Sequence, residues 1–440
     1  MDSSPTRTTY AVWEITLACN LRCIHCGSRA GKARPNELST AEALGLVHQL
    51  ADIGVREVSL IGGEAFLRKD WLEIAAEIKR CGMRLAMTTG GYGLNEKMTT
   101  KMAEVGFDTV SVSVDGLESV HNSLRGRSKS WQWCFKAIEA LRAVGIRAAA
   151  NTQLNRKSVP QLPQLYERLR DAGVEAWQTQ LTVPMGNAAD RPELLLQPAE
   201  LLELFPLLHY LYLRGQDEGL YMYPGNNLGY FGPYERRLRS HPKIEDDLAF
   251  WSGCQGGVRT LGIEANGTIK ADPSLPTDDF AGGNIRDKSL REIVYEAEEL
   301  RINDEHSLEH LWGFCQTCEF AEICRGGETW TPHVFFDRSG NNPYCHHRAL
   351  HHAARGLEER LSLRERAAGV PFDNGIFQIR VRPLEAPGRD HVRLDEVQWP
   401  ESWLAEEPGL VERLVGERDR SIEVWERTRI GASPLTATAV

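Results

Sequence analysis

From about residue 10 to residue 213 the chain alternates short apolar runs with longer stretches in which apolar residues recur every three to four positions. The short runs, 11–16, 57–61, 84–88, 109–114, 147–153 and 176–183, are predicted strands. The stretches between them, 40–53, 70–81, 95–104, 130–144 and 159–171, are predicted amphipathic helices, and a sixth, 199–213, follows the last strand. Ser39 and Asp70 stand where helix N-caps are wanted, and Gly54, Gly82, Gly106, Gly145 and Gly173 each follow a predicted helix, where a left-handed cap belongs. Six strand–helix units with short links predict an α/β fold with a parallel sheet and helices outside. Six units, not eight, predict a partial (β/α)6 barrel, and on barrels the working groups gather at the C-terminal ends of the strands.

The pattern then changes. Residues 1–215 are assigned to the barrel, and 216–250, rich in Tyr, Gly, Pro and charge, to a linker or substrate-facing segment. Residues 251–350 have many turn residues and most of the remaining cysteines, as a metal-organised domain would. Residues 351–440 form a C-terminal extension: a helix predicted over 348–368, a strand over 375–383 and a frayed end after about residue 430. No internal repeat of fixed period is present.

The 440 residues carry a formal net charge of −10, which argues against a general nucleic-acid partner. No apolar run reaches a membrane span, and the N-terminus lacks a signal-peptide core, so a cytoplasmic location is expected. Clustered cysteines in such a chain point to metal or redox chemistry and not to disulfides. Of the ten, eight fall at 19/23/26, 254 and 315/318/324/345. Cys81 and Cys134 stand alone in helical contexts and read as small buried hydrophobes.

The segment Cys19-Asn-Leu-Arg-Cys23-Ile-His-Cys26 directly follows the first predicted strand. Three sulfurs at this spacing can hold three corners of an iron–sulfur cube and leave one iron open to a ligand. A zinc site with His25 as fourth ligand is the alternative from spacing alone. In this position the loop resembles that of the radical S-adenosylmethionine superfamily. The resemblance implies a [4Fe–4S] cluster on Cys19, Cys23 and Cys26 whose open iron chelates S-adenosylmethionine, and reductive cleavage to a 5′-deoxyadenosyl radical that takes hydrogen from a substrate. It also implies cofactor contacts: His25 beside the adenine, and Gly62-Gly63-Glu64 at the end of strand two for the methionyl amine, with Ala65 where Pro is common. Ser113, in Ser111-Val-Ser113-Val-Asp115-Gly116, would lie near the cofactor. Arg125, in His121-Asn-Ser-Leu-Arg125-Gly, is a candidate carboxylate or substrate contact. Asn151 on strand five and Gly186 in a turn after strand six complete the set.

Cys315-x2-Cys318-x5-Cys324, with Cys345 beyond, suits either zinc or a second [4Fe–4S] cluster. The region resembles the SPASM extension, which carries two auxiliary clusters. Cys254 and Gly267 match its first positions, but Asp272 and Glu328 stand where two cysteines are expected. The expectation is one complete auxiliary [4Fe–4S] cluster on Cys315, Cys318, Cys324 and Cys345, serving electron relay or support. A cluster using Cys254, Asp272 and Glu328 is the minority alternative, and His346 and His347 read as packed or solvated, not as ligands.

The resemblance further implies a ribosomally made peptide as substrate, matured by crosslinking, epimerisation or backbone excision, and an external electron donor such as a flavodoxin or ferredoxin. The tyrosine- and glycine-rich stretch 220–234 is a candidate peptide groove. The eighteen residues before Cys19 are too few for a leader-binding domain at that end, so recognition is expected from the barrel mouth, the C-terminal extension or a separate leader-binding protein. The alternatives are radical chemistry on a small metabolite, such as a sugar or amino acid, and a non-catalytic iron–sulfur or zinc scaffold.

Overall fold

The computed structural model describes residues 8–240, 250–303, 308–384 and 391–428. Seven parallel strands follow in sequence order: β1 (Tyr10–Thr16), β2 (Glu57–Gly62), β3 (Arg84–Thr89), β4 (Thr109–Ser113), β5 (Arg147–Leu154), β6 (Ala176–Leu181) and β7 (Tyr221–Pro224). β8 (Thr260–Ile263) joins the other side of β1 in parallel, and β9 (Thr268–Lys270) and β10 (Ala281–Asn284) extend that edge antiparallel. The predicted partial barrel is therefore observed, and its sheet stays open among the described residues, ending on β7 and β10.

Side chains on alternate sides of the strands have different surroundings. Trp13, Val58, Leu60, Leu85, Met87, Val110, Val112, Ala148, Ala150 and Trp177 are buried in one continuous core. Ser59, Thr88, Ser111, Asn151 and Gln178 line a cavity of about 220 Å³ inside the barrel. Sheets covered by helices on one side and packed solid on the other read as continuous apolar runs; the alternation here reflects a polar lumen.

The helices lie close to their predicted bounds: Thr40–Asp52, Trp71–Arg80, Glu96–Val105, Ser130–Ala143 and Leu162–Asp171. Ser39 caps the first through a reciprocal bond set with Glu42. Asp70 stands at the N-cap of the second but makes no capping bond; its carboxylate receives Arg68 instead. The five glycines expected after helices all have left-handed backbones.

Three segments differ from the sequence expectation. A helix at Glu118–Arg125 was not predicted. It is short, mostly polar and buries only His121 and Leu124, so its apolar stripe is too sparse to read. The stretch taken as a linker, 216–250, contributes β7 to the barrel sheet and the helix Glu235–Arg239; its residues 241–249 lie outside the described set. The helix expected over 348–368 is instead His346–Ala353, followed by a strand β11 (Leu357–Glu365) paired antiparallel with β12 (Ile376–Pro383). Gly356 turns left-handed between them, and Leu361 and Leu363 alternate with Ser362 and Arg364, a period that suits a strand. The end expected to fray, beyond residue 430, lies outside the described residues. Among the described residues no helix is long and apolar enough to cross a membrane.

Candidate functional site

The chain leaving β1 folds back on itself: the Cys19 N–H donates to the Gly31 carbonyl at 3.2 Å, and the Gly31 N–H to the Leu17 carbonyl at 3.0 Å. Three donors point at the three sulfurs of this fold. They are the Leu21 N–H on Cys19 Sγ at 3.4 Å, the Ala30 N–H on Cys26 Sγ at 3.4 Å, and Arg125 Nη1 on Cys23 Sγ at 3.7 Å. Such donors favour thiolate over thiol. Burial opposes them, pushing the Cys19 thiol up to about 11 and the Cys23 thiol up to about 12. A metal that binds here must displace those protons.

The end of β2 presses directly on this loop. A Cβ at Gly62 would lie 2.1 Å from the Thr16 carbonyl oxygen, and one at Gly63 would lie 2.4 Å from that of Ala18. Only glycine allows that approach. It places Glu64, whose N–H donates to the Ala18 carbonyl at 2.8 Å. The Glu64 side chain is buried; Oε1 accepts from Thr89 Oγ1 at 2.7 Å and Oε2 from the Gly90 N–H at 2.9 Å. Burial lifts its carboxyl to about 7 in spite of these bonds and the nearby Arg125. Each oxygen keeps lone-pair capacity beyond the bond it accepts.

Beyond β4, Asp115 gathers the remaining charges. Its Oδ2 meets His25 Nε2 at 3.0 Å and Arg125 Nη2 at 2.6 Å, and its Oδ1 accepts from the Gln153 N–H at 2.9 Å. Burial works to raise this carboxyl, but the Arg125 guanidinium and His25 hold it below the usual carboxylate range. The Asp115 N–H donates to His121 Nδ1 at 3.0 Å, and burial depresses His121 to about 3, so its ring is neutral and can accept. Arg125 thus bridges Cys23 and Asp115, while His121, one turn before it on the same helix, fixes the Asp115 backbone.

Ser113 and Asn151 are direct partners across β4 and β5 on the partly open lumen side, with Gln178 of β6 beside Asn151. In the lumen the Ser111 hydroxyl oxygen is enclosed without a hydrogen-bond partner. Gly186, at φ +56°, packs on the cysteine loop: a Cβ there would lie 2.3 Å from the Gly27 carbonyl oxygen and 2.4 Å from that of Cys26. Next to it, the Asn187 N–H donates to the Cys26 carbonyl at 2.9 Å and Asn187 Nδ2 to the Cys23 carbonyl at 2.8 Å.

The fold therefore brings Cys19, Cys23, Cys26, His25, Gly62, Gly63, Glu64, Arg125 and Gly186 to one end of the barrel, with Ser113 and Asn151 at the nearby strand ends. Two of these residues also engage the chain itself. The carboxylate that Arg125 meets is the chain's own Asp115, and His25 is tied to the same group. The sequence reading did not single out the partners Thr89 and Arg29, and it gave Asn187 only as part of the turn with Gly186. Arg29 joins the loop to the C-terminal extension through Asp373 at 2.7 Å. Only Thr89, just before Gly90-Gly91 at a strand end, had a readable signal.

In the second cysteine region, Cys324 interacts electrostatically with Cys345, Cys315 and Cys318, so the four expected sulfurs share one neighbourhood. Their setting is apolar: Cys345 and Cys324 pack with Tyr230, Trp251 and Phe231. Burial pushes Cys345 to about 12 and raises Cys324 well above its ordinary value. Cys254, Asp272 and Glu328 also converge: Cys254 is pushed to about 12 by burial and by both carboxyls. Glu328, however, is engaged at the start of the helix Trp330–Phe336. Oε1 accepts from the Trp330 N–H at 2.6 Å, and Oε2 from the Thr331 N–H at 2.9 Å and its hydroxyl at 2.7 Å. That is a helix-capping role, and Asp272 likewise accepts from the Ser274 N–H at 2.8 Å.

The residues present fit an iron–sulfur cube with an open vertex: three thiols on one loop with N–H donors on sulfur, a buried carboxylate with spare acceptor capacity, and a polar lumen below.

The sequence profile described as the radical SAM superfamily matches residues 13–154. The AdoMet-dependent heme synthase of Methanosarcina barkeri is 28% identical over 344 residues, 76% of this chain and 95% of that protein. The mycofactocin maturase MftC of Mycolicibacterium smegmatis is 28% identical over 321 residues, 72% of this chain and 76% of that protein. Among solved structures, Streptococcus suis SuiB bound to S-adenosylmethionine shares the fold with a TM-score of 0.57 at 18% identity, covering 73% of each chain.

Proposed function

The chain is a radical S-adenosylmethionine enzyme, and from that premise we propose that Cys19, Cys23 and Cys26 hold its cofactor-binding cluster and that the substrate is a ribosomally made peptide. When bound, the [4Fe–4S] cluster and S-adenosylmethionine supply a 5′-deoxyadenosyl radical that abstracts hydrogen. The chain's own residues do the positioning. Glu64 offers a buried carboxylate to the cofactor's ammonium group, and its elevated pKa means that it ionises fully only when that cation arrives. Arg125 donates to Cys23 Sγ while Asp115 neutralises it, so a cation stands beside the cluster without an unpaired buried charge. His25 is held by Asp115 in one orientation. Ser113 and Asn151 offer a hydroxyl and an amide to the cofactor's polar groups on the lumen side. Gly186 and Asn187 brace the loop from outside. Cys315, Cys318, Cys324 and Cys345 hold one auxiliary cluster, closed by four protein sulfurs and suited to electron relay.

The peptide reading is carried by the maturase relative, matched along 72% of this chain and 76% of that protein. The SuiB structure bound to precursor peptide SuiA has the same fold. A tetrapyrrole is the second reading, favoured by the match along 95% of the heme synthase relative. Anaerobic incubation with dithionite and S-adenosylmethionine should yield 5′-deoxyadenosine, and a peptide encoded beside the gene should accelerate it and change mass. Acceleration by an iron porphyrin and by no peptide would assign the second reading; no 5′-deoxyadenosine under any condition would refute both.

A further inference from the structure

Away from both cysteine groups, the short helix Thr277–Phe280 faces the helix Trp330–Phe336. Where they meet, ligand atoms of Asp279, His333 and Asp337 all lie within 4.8 Å of one another. His333 is only 5% exposed, and its Nε2 is enclosed with no hydrogen-bond partner. The closest charged group, Asp337 Oδ1, stands at 3.7 Å, beyond hydrogen-bond length. A buried imidazole nitrogen left without a partner is unfavourable unless something fills the gap. The ring is fixed by an edge contact with Phe280, centroids 4.9 Å apart. Burial lowers the His333 pKa, so the ring is neutral, the form that ligates metal. Both aspartates are exposed, Asp337 by 61% of its side chain, so water can complete a coordination shell from outside.

We propose that Asp279, His333 and Asp337 form a site for one divalent cation of the Zn²⁺ or Mn²⁺ class. One imidazole nitrogen and two carboxylate oxygens suit borderline-to-hard cations, and the absence of sulfur from the set separates it from the iron–sulfur ligands. The pair of carboxylates balances a 2+ charge, and the ion joins the short helix that leads into β10 to the helix capped by Glu328. A second such group among the described residues, His48, Glu77 and Cys81, lacks this feature. There the histidine is exposed and both its nitrogens are engaged, Nε2 by Glu77 at 2.8 Å and Nδ1 by Cys81 at 3.7 Å.

The test uses the full chain with its clusters reconstituted and Mn²⁺ as probe, because Mn²⁺ has little affinity for thiolates. Loss of the free-ion EPR signal should report one tight Mn²⁺ per chain, displaced by Zn²⁺, with a nitrogen hyperfine coupling from His333. Asp279→Asn and Asp337→Asn, both surface changes, should each weaken binding about tenfold or more. His333→Gln should remove the nitrogen coupling. If His333→Gln fails to fold, judged by its cluster absorbance, the two aspartate variants decide. No bound Mn²⁺ at millimolar concentration, or unchanged affinity in both aspartate variants, overturns the proposal.

Discussion

The two cysteine groups differ less in their sulfurs than in what surrounds them. Cys19, Cys23 and Cys26 sit on a strand-end loop, with a buried carboxylate, an arginine–aspartate pair and a polar lumen at hand. Cys345 and Cys324 sit among Tyr230, Trp251 and Phe231. Both environments donate hydrogen bonds to sulfur, as the Phe320 N–H does to Cys318 Sγ at 3.5 Å, but the first adds the buried Glu64 carboxylate for an incoming ligand, while the second packs its sulfurs against aromatic rings. Under the proposed reading, an open vertex needs the former and a closed electron relay the latter. The contrast extends to the acids. The two Glu64 oxygens accept one hydrogen bond each, whereas Glu328 accepts three at a helix start.

The sharpest way to break this contrast is to remove one group and leave the other. Replacing Cys19, Cys23 and Cys26 together with Ala should abolish 5′-deoxyadenosine formation while about four irons per chain and their absorbance remain. Retained cleavage would mean the open vertex lies elsewhere. Next in size, Glu64→Gln removes a charged acceptor and should weaken S-adenosylmethionine binding by about 1.5–3 kcal/mol, roughly 10- to 150-fold, measured by equilibrium dialysis. Iron content should stay as in the unaltered chain; an unchanged affinity would remove Glu64 from the cofactor site.

The remaining effect falls on stability, not on the reaction, and concerns Glu328. Its carboxyl, raised to about 7 by burial and by Asp272, binds its proton more tightly in the folded than in the unfolded chain. Its contribution to stability is therefore fully present below the unfolded value near 4.5 and is lost as pH rises through about 7, a decline of about 3 kcal/mol. Glu328→Gln should flatten the fall in denaturant midpoint between pH 5 and 7.5. An equally steep fall in the variant would show that other groups set the slope.

How much of this was legible depended on the range of the interactions. The strands of the barrel and the glycine-ended helices are local patterns, and Trp71–Arg80 or Arg147–Leu154 could be bounded to within a residue or two. Cys19, Cys23 and Cys26 were legible because one short loop carries all three. The ring around them was only partly so: that Gly62 and Gly63 touch Thr16 and Ala18 is a consequence of β1 pairing with β2, and Arg125 turning to Asp115 depends on a helix whose apolar stripe is too thin to read. Arg29 meeting Asp373, 344 residues away, left no local trace at all. The strand Leu357–Glu365 was mistaken for helix because its charged residues also suit a helix; Gly356 and the pairing with Ile376–Pro383 decide otherwise.

An iron that the protein leaves free for the cofactor is detected most directly by EPR of the anaerobically reduced chain. Addition of S-adenosylmethionine should shift the g-values of one reduced cluster and leave those of the other unchanged, and the shift should vanish in the triple cysteine variant. Spectra that do not respond to S-adenosylmethionine would contradict the central claim.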